Sequence, residues 1–447
     1  MIRHVAIIGA GFSGALQAIN LLRHDGPRAT LIERRGAVAR GVAYSAAHPD
    51  HLLNVRADRM SALPDQPDHF RMWLAKQGLD ADGFVPRLVY GDYLAALLAE
   101  TVARDPDRLR IVQGDVIDVE QCADGVALAL DDGSTITADA AVLAMGNLRP
   151  HEPAGIAAAR LGADVYAPDP WRADITAGLE DGDRVLAIGT GLTMIDVALL
   201  LEANGFGGQM IAMSRRGLVP RAHGQAAPRG LSERPPLTAT ALLRAVRARA
   251  RLIGWRSAVD ELRPYTQDMW LAAEPAERAR FLRHLRPWWD VHRHRLAPIV
   301  DARISALRAG GRLDVVAGTL LAAEPQGRGA RVTWRPRGGD AIETMDVRRI
   351  VNCSGPQGDL ARSEEPLLTR LATRGLIRPD RFRLGLDVDM QARLIGSDGT
   401  ASDRLFALGP MTRGAFWEIV AVPDIRVQTW TLARKLSNAH WVGGEGL

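Results

Sequence analysis

Short runs of mostly apolar residues alternate along the chain with longer segments whose apolar residues recur at helical spacing. Residues 5–8 and 29–32 form one pair of such runs, and residues 184–188 and 209–213 form another. Apolar runs of this length indicate strands that are buried on both faces, and the first run of each pair leads into an apolar helix. The pattern therefore predicts an α/β fold that contains two βαβ units.

The turn between strand and helix in the first unit is rich in glycine. Gly9 permits a tight turn, Gly11 allows a pyrophosphate to approach the backbone, and Gly14 lets the helix pack on the strand. The second strand ends in Glu33, where a carboxylate can accept hydrogen bonds from both hydroxyls of an adenosine ribose. The first unit is therefore predicted to bind FAD.

The second unit repeats this arrangement with two changes. Gly189 and Gly191 form its turn, but Met194 stands at the third glycine position, so helix and strand are expected to lie slightly further apart. Its second strand ends in the run Ser-Arg-Arg at 214–216. Arginines attract a ribose 2′-phosphate that a carboxylate would repel, and the second site is therefore assigned to NADPH.

A longer internal repeat supports two related domains. Residues 108–120 and 312–324 can be aligned without a gap. We predict two dinucleotide-binding domains, Rossmann-like and of the glutathione-reductase type, with a helical insertion in the second. The expected boundaries are 1–165 and 356–447 for the FAD-binding domain, 166–220 and 299–355 for the NAD(P)-binding domain, and 221–298 for the insertion.

The insertion contains an amphipathic helix. Its apolar stripe consists of Leu242, Leu243, Val246, Ala250 and Ile253, and arginines lie mostly off the stripe. This pattern predicts a helix that covers the core with one face and exposes arginines on the other. A helix that binds a membrane or a nucleic acid is the alternative.

Residues 287–295 of the insertion combine aromatic, imidazole and guanidinium groups. Such groups suit a planar or carboxylated substrate, through stacking and bidentate hydrogen bonds. The alternative is a helix that buries its tryptophans and solvates its arginines. The candidate substrate ligands are Trp289, His292, His294 and Arg295.

Composition and charge narrow the possible functions. Hydrophobic residues make up 47% of the 447-residue chain, and the net charge is only +4, with basic and acidic residues interleaved. No nucleic-acid-binding face is therefore expected. The two cysteines lie far apart, which excludes a CxxC redox dithiol. The apolar window 185–201 is interrupted by glycines and an aspartate, and the first strand begins near the N-terminus, so a cytoplasmic protein without a signal peptide or membrane span is expected.

These motifs together resemble those of the FAD/NAD(P)-binding oxidoreductases. More narrowly, they are similar to the branch that holds flavin-dependent urate hydroxylase and the nitrosuccinate-forming aspartate N-monooxygenase. The resemblance covers nearly the full length. It is carried by the two glycine motifs, Arg40-Gly41 with Ala43-Tyr44, residues 51–57 with Met60-Ser61, and Gly409-Pro410 with Arg413-Gly414 and Trp417-Glu418.

The resemblance implies a flavin monooxygenase. NADPH would reduce FAD, and reduced flavin with O₂ would form a C4a-hydroperoxide that hydroxylates a small polar substrate, such as an amine, an amino acid or a purine. One alternative is an NAD(P)H-dependent flavin reductase or oxidase without oxygen insertion. Another is a non-catalytic flavoprotein that senses FAD or NADPH. The expected partners are a small-molecule substrate and O₂, without a nucleic acid, a membrane or a bound metal.

The motifs also supply candidate ligands. The candidate catalytic residues are Asn54, Arg413 and Trp417, although Asn54 could equally cap a loop. The candidate FAD ligands are Gly9, Gly11, Ser13, Gly14, Glu33, Arg34, Arg40, Asn54, Val116, Gly146, Gly409 and Pro410. The candidate NADPH ligands are Gly189, Gly191, Thr193, Ser214, Arg215 and Arg216.

Overall fold

The computed structural model describes residues 2–45 and 48–437, which form two compact units. The first unit comprises residues 2–45, 55–148 and 358–437, and the second comprises residues 48–54 and 149–357. The division into two compact units does not test the boundaries of the FAD-binding domain, the NAD(P)-binding domain and the insertion, which stay predictions. Their outermost residues, Met1 and 438–447, lie outside the described part of the chain.

The strands and helices follow the expected alternation. The strands are β1 (His4–Ile8), β2 (Arg28–Glu33), β3 (Leu109–Gln113), β4 (Val116–Cys122), β5 (Gly125–Leu130), β6 (Thr135–Ala138), β7 (Ala140–Leu143), β8 (Tyr166–Ala167), β9 (Arg184–Ile188), β10 (Gln209–Ser214), β11 (Leu313–Gln326), β12 (Gly329–Pro336), β13 (Glu343–Val347), β14 (Arg349–Asn352), β15 (Arg393–Ile395) and β16 (Ala401–Ala407). The helices are α1 (Phe12–Arg23), α2 (Gly41–Ser45), α3 (His69–Lys76), α4 (Arg87–Arg104), α5 (Ala158–Leu161), α6 (Leu192–Ala203), α7 (Ala239–Ile253), α8 (Trp255–Asp260), α9 (Thr266–Ala272), α10 (Pro275–Arg280), α11 (Arg286–Arg293), α12 (Pro298–Ala309), α13 (Pro366–Thr373) and α14 (Val422–Leu436).

The first unit is built on a six-stranded sheet with the order β15-β16-β7-β1-β2-β3. All neighbours in this sheet are parallel except β15 and β16. Residues 5–8 of β1 are buried because strands flank it on both sides and α1 packs over the sheet. The carboxyl ends of β1, β2, β7 and β16 therefore meet at one edge, the edge at which α/β proteins bind nucleotides. A separate antiparallel sheet contains β4, β5 and β6.

The second unit is built on a seven-stranded sheet with the order β13-β12-β11-β10-β9-β14-β8. Strand β11 pairs in parallel with β10 over residues 313–317 and then antiparallel with β12 over residues 318–326. The central strands β9, β10 and β14 are parallel to one another, so their carboxyl ends form an edge like that of the first unit.

The two copies of the internal repeat fold differently. In the first copy the chain breaks at Gly114, and β3 and β4 belong to separate sheets. In the second copy the equivalent residues form the continuous strand β11. A side chain at Gly114 would lie 2.6 Å from Leu130 Cδ2, so close packing against β5 accompanies the break. The repeat thus predicts strand positions but not their pairing.

Helices α7 to α11 form the insertion, and α7 differs from expectation. Its five stripe residues are only half-buried, and Leu252 beside them is 78% exposed. Arg249 is half-buried, and its guanidinium donates hydrogen bonds to both carboxylate oxygens of the buried Glu261, each at 2.8 Å. The stripe is therefore less buried than expected, whereas the predicted solvated face is present at Arg244, Arg247 and Arg251, which are exposed.

Candidate functional sites

The first glycine turn has a geometry that requires glycine. Gly9 has a φ of +97°, and a Cβ there would lie 2.6 Å from the Ala144 carbonyl oxygen at the end of β7. A Cβ at Gly14 would lie 1.8 Å from the Gly9 carbonyl oxygen, which shows how closely α1 approaches the turn. The backbone at this point can therefore come into direct contact with a phosphate.

Helix α1 presents its amino terminus at this turn. Gly11 caps the helix with extended backbone and without a side-chain hydrogen bond, and the first turn carries no acidic residue. The first amide N–H groups of a helix lack partners within the helix and lie at the positive end of its dipole. These features fit the pyrophosphate of a dinucleotide.

Glu33 lies at the carboxyl end of β2, beside the turn. Its Oε2 accepts a hydrogen bond from the Ala10 N–H at 2.9 Å, and its Oε1 accepts one from the Arg35 N–H at 3.0 Å. Burial raises the pKa of this carboxyl above its ordinary value, and the Ala10 N–H and the positive charge of Arg34 partly oppose that effect. Each oxygen retains a further lone pair, which suits a ribose diol.

Arg34 and Arg40 are engaged by carboxylates of the same unit. The Arg34 guanidinium binds Glu365 at 2.7 and 3.2 Å and lies 3.6 Å from Asp115. Arg40 Nη2 lies 2.7 Å from Asp92 Oδ1. These ion pairs fix both side chains, and direct contact with FAD stays a prediction for each.

The remaining candidate FAD ligands of the first unit lie at or near the carboxyl edge of the sheet or at the start of β4. Gly146 follows β7 with a φ of +71°, and nothing lies within 4 Å of where its Cβ would be. Gly409 follows β16, and a Cβ on it would lie 2.5 Å from Ser13 Oγ in the first turn of α1. Pro410 opens a short 3₁₀ helix at this point. Val116 is buried at the start of β4.

Arg413 and Trp417 form a cation–π pair, with the guanidinium carbon 4.7 Å from the ring centroid. Trp417 is only 5% exposed. The pair is therefore held by packing, and its expected catalytic role stays a prediction.

Sequence reasoning missed two residues that shape this region. The buried Gln428 of α14 accepts a hydrogen bond from the Gly409 N–H at 2.8 Å. The buried Asp380 accepts from the Phe382 and Gly385 N–H groups at 2.8 and 2.7 Å, and its loop lies against Gly414. Burial raises the pKa of Asp380 above its ordinary value. Neither residue belongs to a local motif, so no sequence signal marked it.

The second glycine turn repeats the first in the other sheet. Gly189 has a φ of +119°, and a Cβ there would lie 2.2 Å from the Cys353 carbonyl oxygen at the end of β14. Gly191 caps α6, and nothing lies within 4 Å of where its Cβ would be. Met194 is fully buried, and Thr193 is half-buried in the first turn of α6. The turn therefore fits a second dinucleotide.

The residues after β10 form a loop with two arginines. Ser214 Oγ and Thr190 Oγ1 lie 2.9 Å apart, so the loop is tied to the glycine turn. Arg215 is exposed, and Arg216 is half-buried and donates from Nη2 to the Arg283 carbonyl oxygen at 3.3 Å. Two guanidinium groups at this position fit a ribose phosphate.

Asn54 is the last residue of the short segment 48–54, which belongs to the second unit. Its carbonyl oxygen accepts a hydrogen bond from His223 Nε2 at 2.9 Å, and burial lowers the pKa of His223. His51 is buried, accepts from the His48 N–H at 3.0 Å through Nδ1, and donates from Nε2 to the Asp196 carbonyl at 2.9 Å. These contacts fix the backbone of the segment, and the role of the Asn54 amide stays a prediction.

The substrate candidates lie on α11 or directly after it, and they are placed differently from one another. Arg295 is 4% exposed, binds both oxygens of Asp260 at 3.0 and 2.9 Å, and lies over the Trp255 ring. These contacts support a role in holding the insertion together and do not support substrate binding. His292 is half-buried, and its ring lies edge-on to Trp255 with centroids 4.9 Å apart.

Trp289 and His294 are half-buried, whereas Trp288 is 45% exposed. Solvent thus reaches this part of α11, and substrate contact stays a prediction for both candidates. The alternative with buried tryptophans and solvated arginines does not describe residues 287–295 either, because Trp288 is exposed and Arg295 is buried.

The described residues contain neither a candidate membrane-spanning helix nor a candidate metal-binding cluster. No helix within residues 2–45 and 48–437 is both long and apolar enough to span a membrane. The same residues contain no group of three or more histidine, cysteine, aspartate or glutamate side chains arranged to hold a metal ion.

The first glycine turn lies in a region that matches a known protein family. A family model described as FAD-NAD(P)-binding matches residues 6–148, which contain the first glycine turn, Glu33 and the end of β7. No curated protein sequence matches the chain.

Solved structures match over nearly the whole length. Ornithine hydroxylase from Pseudomonas aeruginosa aligns with a TM-score of 0.68 at 14% identity, covering 98% of this chain and 99% of its own. L-lysine 6-monooxygenase from Pseudomonas syringae aligns with a TM-score of 0.67 at 16% identity, covering 98% of this chain and 100% of its own. The FAD-bound cadaverine monooxygenase of desferrioxamine biosynthesis from Erwinia amylovora aligns with a TM-score of 0.69 at 12% identity, covering 98% of this chain and 95% of its own. At these identities the likeness shows the fold.

Residues 6–148 therefore match an FAD-NAD(P)-binding domain, and the whole chain has the fold of flavoenzymes that carry two dinucleotide-binding domains. The expected α/β fold class is confirmed, and so is an FAD-NAD(P)-binding domain in the first part of the chain. The narrower branch with urate hydroxylase and aspartate N-monooxygenase, and the cytoplasmic location, stay predictions.

Proposed function

We propose that this protein is an FAD-dependent monooxygenase, reduced by NADPH, that hydroxylates a small polar substrate carrying an amine. The observation that supports this proposal most directly is that the chain has two glycine turns, and that the residues at the end of the second strand differ between the two βαβ units. Glu33 ends the strand in one unit, and Arg215 and Arg216 follow the strand in the other. The three matched structures are named for hydroxylation or oxygenation of ornithine, lysine and cadaverine, which are amines.

In the first unit the residues of the glycine turn would hold FAD. The amide groups at the start of α1 would bind its pyrophosphate, and Glu33 would accept hydrogen bonds from its adenosine ribose. Ser13 and Gly409, which the fold brings together, would border the same cofactor. When bound, the flavin supplies redox chemistry that side chains lack, taking electrons from NADPH and passing them to O₂.

In the second unit the start of α6 would bind the pyrophosphate of NADPH. Arg215 and Arg216 would neutralise its 2′-phosphate, a group that is absent from NADH. The overall reaction consumes one NADPH, one proton and one O₂ for each hydroxylated amine and releases NADP⁺ and water.

The half-buried side chains of α11 and the segment 48–54 are the proposed substrate contacts. His292, Trp289 and His294 offer aromatic faces and imidazole groups that can bind an amino acid or a diamine. Asn54 offers an amide that can both donate and accept a hydrogen bond.

Product analysis tests this proposal. The protein with FAD and NADPH should be offered L-ornithine, L-lysine, cadaverine, aspartate and urate in turn, with NADPH consumption, H₂O₂ and product mass measured. We expect one compound to gain one oxygen atom with little H₂O₂. NADPH consumption that always yields equal H₂O₂ would indicate an oxidase instead. Failure of NADPH to reduce the bound flavin would indicate a non-catalytic flavoprotein.

A further inference from the structure

The insertion contains a helix with an irregular turn in its middle. Residues 275–293 are helical throughout, but Phe281–Leu285 form a π-helical turn between α10 and α11. The Arg286 N–H donates to the Phe281 carbonyl, five residues back rather than four. Single π turns inside α-helices occur frequently at functional sites.

Pro287 explains why one carbonyl of this turn can bond outside the helix. In an α-helix the Arg283 carbonyl would accept from the N–H of residue 287, and proline has no N–H. The Arg283 carbonyl instead accepts a hydrogen bond from Nη2 of Arg216 at 3.3 Å. Arg216 belongs to the loop after β10, the loop on which the preference for NADPH is proposed to depend.

We propose that Pro287 and the Arg283 carbonyl are specificity-determining elements, which position Arg216 for the ribose 2′-phosphate of NADPH. This inference rests on the proposed function, which assigns NADPH to the second glycine turn. A guanidinium has five N–H donors on three nitrogens, so Arg216 can bond the carbonyl with one and keep the others for a phosphate. Arg215 is exposed and lacks such a fixed contact in the described structure, so the two arginines are expected to act unequally.

The Pro287→Ala variant isolates this effect. Alanine restores the backbone N–H that can bond the Arg283 carbonyl within the helix, so the carbonyl no longer needs Arg216. Alanine is also the better helix former, so the fold should be kept. Binding of 2′,5′-ADP and of 5′-AMP to the FAD-loaded protein should be measured by calorimetry. We expect Pro287→Ala to weaken 2′,5′-ADP about two- to tenfold, the range of one hydrogen bond, and to leave 5′-AMP unchanged.

Pro275→Ala is the matched control. Pro275 lies four residues after Leu271, whose carbonyl oxygen also accepts from an arginine, Arg278 Nη2 at 2.7 Å, within the insertion itself. This variant should leave both affinities unchanged. Arg216→Lys should reproduce most of the loss, because an ammonium lacks the planar fork that can bond a carbonyl and a phosphate together.

The possible outcomes separate the inference from the proposed function. If Arg216→Lys weakens 2′,5′-ADP but Pro287→Ala does not, the positioning role is wrong while the NADPH assignment stands. If the wild-type protein does not prefer 2′,5′-ADP to 5′-AMP, the NADPH assignment itself is wrong. Equal weakening of both ligands by Pro287→Ala would show general disruption and would also overturn the inference.

Discussion

At the scale of single residues, the glycines of the two turns separate demands of the fold from demands of the ligand. Gly189 has left-handed backbone and no room for a Cβ, whereas Gly191 has ordinary backbone and open space around it. The fold therefore requires glycine at 189, but at 191 only an approaching pyrophosphate would require it.

We predict that Gly191→Ala folds with an unchanged melting temperature but raises the KM for NADPH about tenfold or more, because its methyl group meets the pyrophosphate. Gly189→Ala should instead lower the free energy of unfolding by at least about 2 kcal/mol, through backbone strain and the clash with the Cys353 carbonyl. Thermal unfolding and steady-state kinetics measure both effects. An unchanged KM in Gly191→Ala would remove the nucleotide from this turn.

Glu33→Gln should weaken FAD binding about tenfold, because a neutral amide replaces charge-assisted hydrogen bonds to the ribose. Since burial raises the pKa of Glu33, FAD affinity in the wild type should begin to fall on acidification above the ordinary glutamate range. Flavin fluorescence during reconstitution measures both. The exposed Glu100→Gln is the control, and equal losses in the two variants would contradict the assigned role.

Replacement of Arg215 and Arg216 by alanine should raise the KM for NADPH far more than the KM for NADH, because only NADPH carries the 2′-phosphate. Steady-state kinetics with both coenzymes checks this expectation. Similar changes for the two coenzymes would refute the assignment of the phosphate.

At the scale of elements, buried ion pairs hold the helices of the insertion together. Glu261 joins α7 to the end of α8 through Arg249, and its Oε1 also accepts from the Arg229 N–H at 2.9 Å. Arg295 similarly joins the end of α11 to Asp260. Because the apolar stripe of α7 is only half-buried, removing one partner of the Arg249–Glu261 pair should loosen the helix, since the other charge would be left without its partner.

Glu261→Gln should lower the free energy of unfolding of the insertion by about 1–3 kcal/mol, because the Arg249 fork loses its charged acceptor. The Arg249 hydrogen bonds lower the pKa of Glu261, so the pair stabilises the fold fully above the unfolded-state pKa and loses this effect as the pH falls through the lower folded value. Trypsin cleavage between residues 239 and 261 at neutral pH measures the loosening. Asp346→Asn, which breaks the exposed pair with Arg331, is the control and should leave cleavage unchanged.

At the scale of the whole molecule, each compact unit carries its own glycine turn, and each turn is proposed to bind a different nucleotide. FAD should therefore slow amide exchange at residues 9–14 and 409–412, and NADP⁺ should slow it at residues 189–193 and 214–217. Hydrogen–deuterium exchange of the apoprotein with each ligand separately tests this division. Protection of the same turn by both ligands would show that the two sites have been assigned wrongly.

The sequence by itself determined the local βαβ units, because each depends on residues within one strand–turn–helix–strand segment. Apolar periodicity located β1, α1, β9 and α6, and the glycine spacing identified both turns. Outside the βαβ units, the spacing of apolar residues was a poorer guide to where a helix begins or whether a short helix is present. The sequence predicts a helix from about Tyr93 to Ala103 and a loop-rich segment after Arg40. In the structure α4 already begins at Arg87, and α2 lies in that segment.

Only the tertiary structure decided which partners each side chain finds. It brought Gly409 to Ser13 of α1, placed Arg34 against Glu365, and buried Arg295 against Asp260 rather than exposing it to a substrate. These contacts join segments that lie far apart in the chain or face each other only after packing. Such contacts depend on how sheets and helices pack and not on local spacing, so no sequence pattern could specify them.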